Sequence, residues 1–193
     1  MEPRGAIAEY DPKDDRSTLW VSSQGVSVIR PVIADMTLKM GQAKLRVRTG
    51  DVGGGFGMKI FVHPEYPMVV WASRTLKRTV KWIPDRQEAF QSDVQGRDHV
   101  SIAEMALDKD AKFLGLKVTT YAALGAYLSH FGAFIPTMAG TGMLAGLYQT
   151  PTIYVNVKGV MTNTVPTDAY RGAGRPGAAY LLERFVDHIA RET

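Results

Sequence analysis

Cysteine is absent from the 193-residue sequence. No disulfide framework, thiolate zinc site, cysteine-ligated iron–sulfur cluster or cysteine nucleophile can therefore come from this chain. Long apolar runs are missing too, since none reaches the roughly 18 residues that read as a membrane span. The opening MEPRGAIAEYDP lacks a basic stretch followed by an apolar one, so it does not read as a secretory signal. Charge of one sign is in short supply: 23 Lys and Arg against 19 Asp and Glu leave a formal net charge of +4. That diffuse balance gives no argument for nucleic acid or for a membrane surface. What remains is 45% hydrophobic and 22% charged, the balance of an ordinary globular protein long enough to bury a core. The expectation is one domain over residues 1–193, in the cytoplasm.

Hydrophobic spacing organises the chain. Residues 1–17 are polar and turn-rich around DPKDD, and Thr18–Ser22 reads as a short strand. Residues 25–40 carry Val26, Ile29, Ile33, Met36, Leu38 and Met40, a helix broken or offset at Pro31. Lys44–Arg48 alternates, with Leu45 and Val47 on one face, as a half-buried strand does. A helix is predicted over 65–76 and a strand over 79–83. Two further strands, 99–107 and 113–123, flank the Asp108-Lys109-Asp110 turn. Residues 124–150 are rich in glycine and almost uncharged, which suits a buried helix or a loop covered by a ligand or another chain. A strand over 153–160 and an amphipathic helix over 178–191 follow, the helix with Leu181, Leu182, Phe185, Val186 and Ile189 inward and an Asp187–Arg191 pair. Helices and strands mix without regular alternation, so the fold class is α+β, a mixed sheet with packed helices.

Two glycine loops carry the chemistry. Gly53-Gly54-Gly55-Phe56-Gly57 follows a strand. Glycine lets backbone approach a ligand closely, and successive N–H groups can form a nest for an anion. A tight turn between strand and helix is the equally simple alternative. It is not a phosphate-binding P-loop, because Met58-Lys59-Ile60 stands where Gly-Lys-Ser/Thr is needed. The second loop, Tyr170-Arg171-Gly172-Ala173-Gly174-Arg175-Pro176-Gly177, satisfies the spacing of a dinucleotide fingerprint. It lacks the second strand whose end should carry the acidic residue: Glu192 still lies on the first helix. What it offers is a helix start beside two guanidinium groups, suited to an oxyanion or simply solvated.

VGGGFGMK and, about 115 residues later, AYRGAGRPGAAYLLER together resemble the molybdopterin-binding large subunit of the xanthine dehydrogenase / aldehyde oxidase / carbon monoxide dehydrogenase family. MEPRGAIAEYD, SSQG, PEYPMVVWASRTLKRTVKWIPDRQEAF, GAYLS and VPTDAYRGAGR fit the same family in order, so the resemblance covers nearly the whole chain. It implies a molybdenum–molybdopterin cofactor, in its cytosine dinucleotide form, held through the pterin dithiolene rather than by protein ligands. It implies partner subunits carrying iron–sulfur clusters and FAD, and oxidation of an aldehyde or a related carbonyl or heterocyclic carbon with water. Gln24 would approach an oxo ligand. Gly54, Gly55, Phe56 and Gly57 would pass along the pterin, and Arg171, Gly172 and Ala173 would close the other side of the metal. The family's general base is a glutamate near the end of a much longer subunit, so it is expected beyond Thr193, and the chain reads as an excised part of the cofactor cradle.

Departures shape the substrate expectation. Gly172 stands where carbon monoxide dehydrogenases proper carry a copper-binding cysteine. Ile60 replaces the glutamate with which xanthine enzymes read a purine, and Ala173 replaces an aromatic wall. Ile60 and Ala173 thus mark the substrate side, and an aldehyde is the expected substrate class. Other signals read as structural. The four histidines are isolated. Arg74, Lys77, Arg78 and Lys81 beside Trp71 and Trp82 read as a solvated face or subunit contact rather than a nucleic-acid platform. Glu183, on the closing helix, reads as an ion-pairing residue. The alternatives of another class are a free-standing anion- or nucleotide-binding module and a non-catalytic interaction domain. A last expectation is that the two glycine loops lie close together at one end of the sheet and share one anionic ligand, with residues 124–146 packed nearby or poorly ordered.

Overall fold

The computed structural model describes residues 2–193, which fall into two compact units divided between Asp93 and Val94. The first unit is built on a four-stranded mixed sheet of β1 (Ala6–Asp11), β2 (Arg16–Val21), β3 (Leu45–Arg48) and β4 (Val80–Trp82). Their spatial order is β3-β2-β1-β4. β1 runs antiparallel to β2 and to β4, and β2 runs parallel to β3. The interior strand β1 falls inside the stretch expected to be polar loop. Its inward residues are Ala6 and Ala8, both fully buried, and alanine gives little strand signal. Their small size lets helix α2 (Glu65–Leu76) lie close over the sheet, seating Tyr66, Val69 and Val70 among Leu19, Val21 and Leu45. Burying each of those valines contributes roughly 1.5–3 kcal/mol.

Helix α1 (Val26–Pro31) passes at Pro31 into a π-helical turn, Val32–Thr37. Pro31 has no N–H to give, and the register slips there rather than the chain stopping. Ile29, Ile33 and Ala34 join the same core. The short helix α3 (Arg86–Ser92) was not expected; the Asp85 carboxylate caps it by accepting the Glu88 N–H at 2.7 Å.

The second unit holds a three-stranded sheet in the order β5-β6-β7, from β5 (His99–Leu107), β6 (Phe113–Gly125) and β7 (Ile153–Met161). β5 and β6 form an antiparallel hairpin, and β7 adds parallel to β6. The hairpin turn closes on the Asp108 carboxylate, which accepts the N–H groups of Asp110 and Lys112, each at 2.9 Å. Helix α4 (Arg175–Glu192) starts three residues earlier than the spacing suggested, because Pro176 fits a first helical turn. Its Ala178 and Leu182 pack on Leu116 and Val118, with Leu181, Phe185 and Val186 partly buried around them. Asp187 pairs with Arg191 at 2.9 Å, as expected. The connection from β6 to β7 contains a second π-helical turn, Ile135–Ala139. No helix among the described residues is long and apolar enough to cross a membrane.

Candidate cofactor-binding site

In the first unit, the Gln24 side chain and the first glycine loop meet. Gln24 leaves β2 through Ser22 and Ser23, and its N–H donates to the Lys59 carbonyl at 2.9 Å. Its side-chain oxygen accepts the Gly57 N–H at 2.9 Å. That bond fixes the amide orientation and leaves the exposed NH2 group as the outward donor. Gly55 is the close-approach residue: a Cβ there would collide with the Gln24 side chain. Phe56 adopts φ 54°, a left-handed conformation uncommon for a residue with a side chain, and its ring lies over Gly54. Its neighbours Gly54 and Gly57, at φ 86° and 97°, keep the loop in left-handed backbone. The loop is therefore a bare run of backbone roofed by one aromatic ring and flanked by one amide. Ile60 lies just beyond it and is half-buried.

The second loop belongs to the second unit. Gly172, Ala173 and Gly174 have φ of 90°, 43° and 92°. The Ala173 N–H donates to the Tyr170 carbonyl at 2.7 Å and the Arg175 N–H to the Gly172 carbonyl at 3.0 Å. Gly174 rests on the β6–β7 connection, where a Cβ would meet the Ile135 carbonyl oxygen at 2.7 Å. The uncharged segment after residue 124 thus packs beneath this loop. Arg171 and Gly172 are exposed and Ala173 is half-buried.

Residues that the sequence reading passed over hold this second loop. Arg97 donates to the Arg171 carbonyl at 2.9 Å and to the Tyr170 carbonyl at 3.4 Å, and its guanidinium stacks on the Tyr170 ring. Asp168 is fully buried, and its carboxylate accepts the Ser129 hydroxyl and the N–H groups of Phe131 and Ala169. It ties the β6–β7 connection to the approach of the loop. The sequence signal was the Asp inside VPTDAYRGAGR, with the residues it binds about 40 positions away. Behind the loop a cavity of about 540 Å³ opens between the inner sheet face and the first turn of α4, lined by His99, Ser101, Thr120, Ile135 and Leu181. Burial pushes the His99 imidazole below its ordinary range.

The remaining candidates take structural places. His63 is buried behind the first loop with its Nε2 3.0 Å from the Met58 carbonyl, and burial lowers its pKa. Among the described residues no cluster of His, Asp or Glu is arranged to hold a metal ion. Arg74, from the basic cluster, pairs with Asp15 at 2.5 Å and stacks on Tyr10. Glu183 accepts the Tyr148 hydroxyl at 2.7 Å rather than an ion pair along the helix.

The sequence matches the molybdopterin cofactor-binding domain over residues 1–193. This chain belongs to that family. It is 36% identical to the carbon monoxide dehydrogenase large chain of Hydrogenophaga pseudoflava, covering 100% of this chain and 24% of that one. It is 33% identical to the 6-hydroxypseudooxynicotine dehydrogenase complex subunit gamma of Paenarthrobacter nicotinovorans, with 100% and 24% covered. The fold matches quinoline 2-oxidoreductase from Pseudomonas putida 86 with a TM-score of 0.84, at 33% identity over 95% of this chain and 25% of that one. The molybdopterin-binding domain thus spans about a quarter of the length of the relatives it matches.

Proposed function

We propose that the chain forms part of the cofactor cradle of a molybdenum hydroxylase and that the assembled enzyme oxidises an aldehyde or a related carbonyl or heterocyclic carbon with water. The observation that carries this reading is the Gln24 amide, which accepts the Gly57 N–H and lies against Gly55, where a Cβ would meet its side chain. The bound group, a molybdenum–pterin dithiolene in its cytosine dinucleotide form, supplies the two-electron redox chemistry. The chain's own work is placement. The Gln24 NH2 would donate a hydrogen bond to the group, and the backbone of Gly54–Gly57 would approach its pterin. The Phe56 ring excludes water from one side. On the second unit, Arg171, Gly172 and Ala173 would also meet the group, the guanidinium supporting negative charge and the small residues leaving room for substrate. Neither Ile60 nor Ala173 brings a purine-reading carboxylate or an aromatic wall to a substrate.

The resemblance implies iron–sulfur and flavin partner subunits, in the cytoplasm, that would take up the electrons. Relatives named for carbon monoxide, a nicotine derivative and quinoline support a family that varies its substrate on one cradle. Gln24→Ala and Arg171→Ala in the intact protein test the assignment. Both should lower molybdenum content or turnover at least about tenfold, the cost of one removed donor at a reacting centre. Unchanged molybdenum content and turnover in both would remove these residues from the site. A substrate panel on which xanthine outperforms every aldehyde would overturn the substrate class.

A further inference from the structure

Lys59 ends the first glycine loop, where a cation suggests a contact to phosphate. The structure places it elsewhere. Its side chain is 3% exposed and its ammonium meets the Glu2 carboxylate at 2.5 Å. The same carboxylate oxygen accepts the Gly53 N–H at 2.8 Å and the Ser22 hydroxyl at 2.9 Å. The Glu2 N–H returns to the Gly53 carbonyl at 3.3 Å. One oxygen therefore joins three pieces of chain: the entry of the loop at Gly53, its exit at Lys59, and the end of β2 two residues before Gln24. Lys59 also holds Gln24 from the other side, through its carbonyl and the Gln24 N–H.

We infer that Glu2 is a positioning residue for the cofactor loop, and that Lys59 serves as its buried counter-charge rather than as a cofactor-binding cation. Charge-assisted bonds to one acceptor are among the strongest polar contacts available, and these three converge where the loop's ends must be pinned. The Lys59 ammonium, the Gly53 N–H and the Ser22 hydroxyl together hold the Glu2 carboxyl at about 2, below its ordinary 4.5, so the anchor stays ionised through neutral and mildly acidic pH. With the two ends fixed, the left-handed run between them keeps its N–H groups in place before a ligand arrives, which is the condition for preorganised binding. The functional consequence rests on the cofactor reading above, whereas the clamp itself is testable without it.

The test is hydrogen–deuterium exchange and molybdenum analysis on the holoenzyme containing this chain. In Glu2→Gln the amides of 53–59 should exchange about tenfold faster, the scale of one lost charge-assisted hydrogen bond. Exchange in α2 should be unchanged. Molybdenum content should fall, and the electron paramagnetic resonance signal of the metal that remains should shift. A buried Lys59 without its partner threatens folding. The double variant Glu2→Gln with Lys59→Met removes that charge and should melt near the wild type while loop exchange stays fast and molybdenum stays low. Lys59→Arg with Glu2 intact, keeping the charge, should leave exchange as slow as in the wild type. Wild-type exchange over 53–59 in the folded single or double variant would overturn the inference. So would loss of folding in both, which would make Glu2 a residue of general stability. A wild-type preparation free of molybdenum but with a loop loosened by Glu2→Gln would instead count against the cofactor reading alone.

Discussion

Gly55 and Gln24 form the most sharply determined pair in the molecule. The amide occupies the space where any larger residue at 55 would put its first carbon. Gly55→Val should displace Gln24 and lower molybdenum content more than about tenfold, since an oriented donor at a reacting centre is worth several kcal/mol. Elemental analysis checks this, with circular dichroism to confirm that the fold persists. Asp168 makes the matching case in the second unit. Removing its carboxylate in Asp168→Ala takes the acceptor from the part-buried N–H groups of Phe131 and Ala169 and should cost about 1–3 kcal/mol in urea unfolding. A loss below half a kcal/mol would show that water replaces the carboxylate without cost. Burial holds His63 and His99 below the ordinary 6.5. The unfolded chain takes up protons on these rings near that value and the folded chain does not. Stability should therefore fall as the pH drops below about 6.5 and level off below the folded-state values. His63→Gln should flatten the slope of unfolding free energy between pH 7.5 and 5.5; equal slopes would contradict the assignment to His63.

At the scale of elements, legibility in the sequence followed the strength of the local signal. α2, β5 and the start of β6 lie where periodicity put them, because each carries a long apolar pattern between clear turn residues. The helix offset at Pro31 was legible for the same reason, although the slip into a π-helical turn depends on packing by Ile33 and Ala34. β1 was not legible. Its buried face is two alanines, chosen for the clearance they give α2 rather than for strand propensity. Ala8→Leu should push α2 off the sheet and cost about 1–3 kcal/mol, measurable by denaturant titration. A neutral result would mean that the helix does not pack as closely as Ala8 requires. α3 is only seven residues long, and its signal was a single capping pair, Asp85 and Glu88. The site divides in the same way. Gln24 and the glycines could be named from motifs, and their mutual contact is what the structure adds. Glu2, Arg97 and Asp168 escaped because their partners lie 20 to 57 residues away for Glu2, 73 to 74 for Arg97, and 37 to 39 for the Ser129 and Phe131 contacts of Asp168.

At the scale of the whole molecule, the chain covers about a quarter of the relatives it matches. On the proposed reading, the rest of the protein would share in enclosing the cofactor. The 193-residue chain expressed alone should accordingly carry no stoichiometric molybdenum and show no turnover, and a stoichiometric metal content in it would contradict the proposal that the cradle is shared with other parts of the protein. The central claim is that these residues form part of a molybdenum cofactor site. Elemental and pterin analysis of the intact protein, purified from a host that makes the cofactor, tests it most directly. The account predicts one molybdenum and one pterin per copy of this chain, both lost in Gly55→Val. An intact, folded protein without either, from a host that loads other molybdenum hydroxylases, would contradict it.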